Sequence, residues 1–167
     1  MTKPKRIFIV GHTGALKTLR AEALAKKLGW QCIDANPGLE RYIGRNLHKI
    51  LGSQGEAAFH QCEAEIISHY IDKEHVVVYL EEAVIATEKN RKLLSKEFVV
   101  YLKVSTAVQI ERWKDGRTPL LPIADLTAFL DKQHVERDSL FEEVATITIE
   151  SLSIEESVNQ VLKAIGQ

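Results

Sequence analysis

Arg6-Ile-Phe-Ile-Val10 runs without a break into Gly11-His-Thr-Gly14-Ala-Leu-Lys17-Thr18. Four consecutive apolar residues predict a strand buried on both faces. A turn with two glycines follows. Lys17-Thr18 then opens a segment in which Leu19, Leu24 and Leu28 predict a helix, stopped by Gly29. Strand, glycine loop and helix in this order are the context of a phosphate-binding loop, whose backbone N–H groups face an anion beside the positive end of a helix. Gly11, Gly14, Ala15, Lys17 and Thr18 are therefore candidate nucleotide-binding residues. Lys17 is expected to reach the β- and γ-phosphates and the Thr18 hydroxyl to ligate Mg²⁺. Leu16 stands where the motif has glycine, so its side chain crowds the phosphates, or strains the loop if the position needs a positive φ. The alternative is an ordinary turn between a strand and a helix.

Bulk properties narrow the function classes. The 167 residues suit one domain with a proper core, and 45% hydrophobic with 27% charged residues is a soluble, globular composition. A net charge of −1 carries no electrostatic footprint for nucleic acid or an anionic membrane. No apolar run approaches the roughly 20 residues of a membrane span. The basic start, Met1 to Arg6, is followed by too short an apolar stretch for a signal peptide. Cys32 and Cys62 offer neither a disulfide framework nor metal spacing, which fits a reducing cytoplasm.

Along the chain, Trp30-Gln-Cys-Ile33 predicts a second strand that delivers Asp34 to its carboxyl end, where open α/β sheets bind ligands. Short helical segments are expected around 39–43 and 47–51. A longer helix over about 56–71 carries Phe59, Cys62, Ile66 and Tyr70 as its apolar stripe, with His60 and Glu63 turned elsewhere. Val76-Val-Val-Tyr-Leu80 is a third strand ending in Glu81-Glu82, where an acid holds Mg²⁺ through water or orients an attacking water. A helix over about 87–95 leads to a fourth strand, Phe98 to Leu102, and Ser105 caps the helix that reaches Arg112 and Trp113. The glycine, prolines and charges of about 113–123 predict a mobile basic lid. A helix over 125–144, a fifth strand over 145–149 and a terminal helix capped by Ser153 complete the pattern. The fold class is α/β, a three-layer α/β/α arrangement with a five-stranded parallel sheet.

The whole chain resembles the shikimate kinase family, within the nucleoside-monophosphate-kinase-like P-loop folds. The likeness is most specific at the phosphate loop and from Arg117-Thr-Pro-Leu-Leu through Arg137-Asp-Ser-Leu-Phe-Glu-Glu-Val-Ala-Thr-Ile-Thr-Ile149. The resemblance implies transfer of the ATP γ-phosphoryl group to a hydroxyl of shikimate, with Mg²⁺, in aromatic amino acid biosynthesis, by a cytoplasmic monomer. It implies Lys17 and Thr18 as phosphate and metal residues, and Asp34 as the first acid of an Asp-x-Asp pair that holds the metal through water. Arg112 corresponds to an arginine near the adenine, Arg117 to the lid arginine, and Arg137 to one that pairs with the acceptor carboxylate. Lys17, Asp34 and Arg117 are thus the expected catalytic residues.

Departures gather on the acceptor side. Asn36 replaces the second acid, His60 a carboxylate-binding arginine, and Glu81-Glu82-Ala83 a triple-glycine turn. Other readings stay open on this ground: a relative that binds nucleotide or a partner without turnover, a kinase whose acceptor is selected by Glu81 and Glu82, or a hydrolase using Glu81.

Overall fold

A computed structural model of the chain describes residues 3–35, 63–116, 123–150 and 153–166. The elements run β1 (Arg6–Val10), α1 (Lys17–Leu28), β2 (Gln31–Asp34), α2 (63–71), β3 (Val76–Tyr79), a 3₁₀ turn (Glu82–Ala86) and α3 (Glu88–Leu94). They continue with β4 (Val99–Leu102), α4 (Thr106–Gly116), α5 (Ile123–Val144), β5 (Ile147–Ile149) and α6 (Ile154–Ala164). The segments expected around 39–43 and 47–51, and the first part of the helix expected from 56, lie outside the described residues.

The five strands form one parallel sheet in the order β2-β3-β1-β4-β5. Helices cover both faces, so the central strands are apolar at every position rather than at alternate ones. The two-residue period of a strand then divides them between two cores. Phe8, Val10, Val76, Val78, Val99 and Tyr101 meet Ile66 and Ile67 of α2, Leu94 of α3 and Phe141 of α5. Ile7, Ile9, Val77, Val100 and Leu102 meet Ala21 and Leu24 of α1 and Val158 and Val161 of α6. Each such large side chain taken from water contributes about 1.5–3 kcal/mol. The middle strand, β1, draws on both cores.

Local signals explain the helix ends. Gly29, at φ 71°, closes α1 and returns its N–H to Ala25 and Lys26. The Ser105 hydroxyl accepts from the Val108 N–H, and the Ser153 hydroxyl from the Glu156 N–H. Two expectations need correction. Leu19 is 48% exposed, because α1 buries Arg20, Ala21, Leu24 and Ala25 instead. Small alanines bring the helix close to the sheet and to α6, where the Arg20 Nε donates to Ser157 at 3.0 Å. Glu63, expected to turn away from the apolar stripe, is buried all the same, packed where Asn90 of α3 approaches its carboxylate at 3.5 Å.

Candidate active site

The phosphate loop spans Gly11 to Leu16, between the buried end of β1 and the first turn of α1. Gly11 has φ 152°, and a Cβ there would lie 2.7 Å from the Leu102 carbonyl oxygen of the neighbouring strand. Gly14, at φ 83°, packs against Gln109. Leu16 caps α1 in the left-handed region, at φ 57° and ψ 48°, and its side chain makes no capping hydrogen bond. The sequence concern about this position is therefore physical. A leucine occupies a backbone conformation that glycine holds without steric cost.

Two side chains one turn apart on α4 fix the loop from outside. The Gln109 Nε2 donates to Thr13 O at 2.8 Å, and the Arg112 Nη1 to Gly14 O at 2.5 Å. Consecutive carbonyls are thereby held toward α4, which sets the orientation of the peptide planes between them. Lys17 Nζ donates to Gly11 O at 2.7 Å and His12 O at 3.3 Å. Burial draws the Lys17 ammonium below its ordinary pKa, while Glu82 and Glu81 work in the opposite direction.

One cavity of about 350 Å³ is lined by Thr13, Leu16, Lys17, Thr18, Asp34 and the end of β3, Tyr79 through Glu82. The structure thus brings together Gly14, Lys17, Thr18, Asp34, Glu81 and Glu82. Ala15 is buried beneath the loop. Arg112 and Trp113 line an adjoining cavity of about 200 Å³ that shares Thr13, Gly14 and Leu16. Arg137, half-buried on α5, stands near enough to His12 to disfavour its protonation. Asn36, His60 and Arg117, with 117–122 of the expected lid, lie outside the described residues.

Sequence reasoning missed Tyr79. Its phenol is raised in pKa by burial, opposed by a hydrogen bond with Thr18 and reinforced by one with Asp34. It stands between the two expected metal residues, and the apolar run of β3 concealed it. Sequence reasoning also missed His12, Gln109, His134 and Asp138. The four-residue spacing of His134 and Asp138 on a helix was the available signal.

The shikimate kinase family model matches residues 13–166. The chain belongs to the shikimate kinase family. A shikimate kinase of Halorhodospira halophila is 37% identical over 150 residues, covering 89% of this chain and 85% of the relative. One from Legionella pneumophila is 31% identical over 167 residues, covering 98% and 95%. Among solved structures, a shikimate kinase from Acinetobacter baumannii in complex with shikimate superposes with a TM-score of 0.82 at 29% identity, over 98% of this chain and 93% of that one. The three-layer P-loop kinase fold is therefore that of the family. Leu16, Glu81 and Glu82 all line the cavity that holds Lys17, Thr18 and Asp34.

Proposed function

We propose that this family member is an ATP-dependent small-molecule kinase of the shikimate kinase type. Its γ-phosphoryl transfer takes place in the cavity between the phosphate loop and the end of β3. One observation carries the reading. Lys17 and Thr18 at the start of α1 and Asp34 at the end of β2, from two separate stretches of chain, line the same cavity. The first-turn N–H groups of a helix whose N-cap side chain makes no bond are suited to phosphate oxygens. Lys17 is the phosphate clamp: its ammonium moves from Gly11 O and His12 O to the β- and γ-oxygens. Thr18 and Asp34 offer a hydroxyl and a carboxylate, the oxygen donors that Mg²⁺ takes, and the ion would neutralise charge on the transferred group. Tyr79 positions both. The smaller cavity beside Arg112 and Trp113 suits a flat ring, in keeping with an adenine site. Arg117 is the lid charge and Arg137 the acceptor anchor, joined by Asn36 and His60. A single domain with its lid near 113–123, a cytoplasmic monomer and a role in aromatic biosynthesis complete the proposal.

Glu81 and Glu82 favour a second reading. Two carboxylates lining the cavity disfavour an anionic acceptor, and select a cationic or polyol one instead. Coupled ADP release with ATP and Mg²⁺ decides between them. Turnover that depends on shikimate establishes the first. Nucleotide binding without shikimate-dependent release, then restored by glycines at 81–83, marks an altered acceptor site. ADP release without any acceptor would identify a hydrolase.

A further inference from the structure

His12, in the phosphate loop, extends toward α5 into a polar cluster that the proposed chemistry leaves unused. Its Nε2 lies 2.6 Å from Asp138 Oδ1. His134 Nδ1 lies 2.9 and 3.1 Å from the two oxygens of the same carboxylate. The two imidazole rings are 4.2 Å apart, and the three ligand-capable atoms all lie within 4.8 Å of one another. His12 is buried, and Asp138 and His134 border a cavity of about 440 Å³ that gives a route in from solvent.

The hydrogen-bond network fixes which nitrogen faces the carboxylate as an acceptor. Gln109 Nε2 donates to Thr13 O, so Gln109 Oε1 must accept, and it accepts from His134 Nε2 at 2.7 Å. The Nδ1 lone pair of His134 is thereby aimed at two carboxylate oxygens. Acceptors at these separations need something electropositive between them, either a proton or a metal ion. A metal-ligating histidine almost always donates its far N–H to a carboxylate, a carbonyl oxygen or water, and Gln109 Oε1 supplies such an acceptor for His134.

We propose that His12, His134 and Asp138 bind a divalent transition metal, Zn²⁺ foremost, which cross-links the phosphate loop to α5. Two imidazole nitrogens and one carboxylate oxygen are the donor set of a three-ligand zinc site with a fourth position left to water. Nitrogen donors favour such ions over Mg²⁺, so this site is chemically distinct from the oxygen pair Thr18 and Asp34. Around Zn²⁺, with bonds of about 2.0–2.1 Å, neighbouring donor atoms stand roughly 3.3 Å apart. The contacts of Asp138 with His12, at 2.6 Å, and with His134, at 2.9 Å, need to lengthen by roughly 0.7 and 0.4 Å to admit the ion. Gln109 is a positioning residue: it fixes the His134 tautomer and holds Thr13 at the same time.

Titration of the untagged, metal-stripped full chain with ZnCl₂, in millimolar Mg²⁺, tests this by calorimetry. One equivalent is expected to bind at micromolar concentration or tighter, and Co²⁺ is expected to show the visible bands of a four-coordinate ion. His134→Ala should abolish the one-to-one event, and Gln109→Ala should weaken it about 10–100-fold. His69→Ala and His75→Ala, changing exposed histidines elsewhere, should leave it intact. Should His134→Ala not fold, imidazole NMR of the wild type answers the same question. The His12 and His134 ring signals must shift together with one equivalent of Zn²⁺. No stoichiometric binding, binding that survives loss of His134, or unmoved ring signals would mean that a proton alone holds the cluster, and would overturn the proposal.

Discussion

The phosphate loop has two sides of opposite character. Toward β3 it faces a charged cavity in which Lys17 stands with Asp34, Glu81 and Glu82. Toward α4 and α5 it is tied down by Gln109, Arg112 and the His12–Asp138 contact. The cavity side carries groups whose hydrogen bonds can be exchanged for those of a ligand. The helix side carries bonds that hold the loop in one shape. Capture of a polyphosphate needs both, since a preorganised cradle does not lose ordering entropy at the moment of binding. Damage to the cavity side should therefore appear as lost binding or rate in a stable protein, and damage to the helix side as lost stability.

The largest effect should come from Lys17→Ala. Removing a charge-assisted donor costs about 1.5–3 kcal/mol, or roughly 10–150-fold in nucleotide affinity. Turnover should fall further, because clamps on the transferring phosphoryl group act mainly in the transition state. Calorimetry with ADP and a coupled kinase assay measure the two, with the melting temperature nearly unchanged. A large loss of melting temperature would break the division of labour.

Gly11→Ala should act mainly on stability. The new methyl group meets the Leu102 carbonyl at 2.7 Å in a backbone conformation that alanine avoids. A cost of about 2–3 kcal/mol is expected, lowering Tm by roughly 5–10 °C in a differential scanning measurement.

Asp138→Asn sharpens the contrast on the helix side. Burial opposes the charge on Asp138, but its contacts with His12 and His134 outweigh it and hold the carboxyl below its ordinary value. With its side chain 34% exposed, the expected loss at neutral pH is discounted to about 1–2 kcal/mol. The sign follows from linkage. A carboxyl depressed in the folded state contributes stability above its unfolded pKa of 3.8, and loses it as pH falls through the lower folded value. The gap between wild type and variant, read by urea denaturation, should therefore close on acidification below about pH 4. His12 behaves differently. Burial lowers its pKa despite the bond to Asp138, so both proteins lose stability below the ordinary histidine value of 6.5 as the unfolded chain takes up the proton first.

Leu16→Gly should have the smallest effect. Relief of the left-handed strain, about 1–2 kcal/mol, is largely offset by the about 0.4–1 kcal/mol of extra freedom that glycine gives the unfolded chain. Stability should move by less than about 1 kcal/mol, and nucleotide affinity should improve a few-fold as the side chain leaves the cavity.

The same division explains what the sequence disclosed. The cavity side was readable because its groups obey a fixed spacing: Gly11, Gly14, Lys17 and Thr18 lie in one short stretch, and Asp34 and Glu81 sit at strand ends. The three central strands were readable because a doubly covered sheet writes unbroken apolar runs there. The helix side was not. Gln109 reaches Thr13 across 96 residues and Asp138 reaches His12 across 126, and each such group, taken alone, looks like a polar side chain on a loop or helix surface. Leu19 misled for the opposite reason. Three leucines suggested a stripe, whereas the alanines between them set how closely α1 approaches the sheet. Tyr79 passed for core because the three other residues of its strand, Val76 to Val78, are all buried.

The position of β1 has one more consequence. It is the third of five strands, hydrogen-bonded on both edges and packed on both faces. The nucleotide cradle is the direct continuation of that strand. Amide protons of Ile7 to Val10 should then exchange with solvent only through whole-molecule opening, at the slowest rate in the chain. Fraying at the outer strands cannot reach them. Ligand affinity and the architecture beneath it should consequently disappear in a single step on heating, with no intermediate that is folded yet unable to hold a nucleotide.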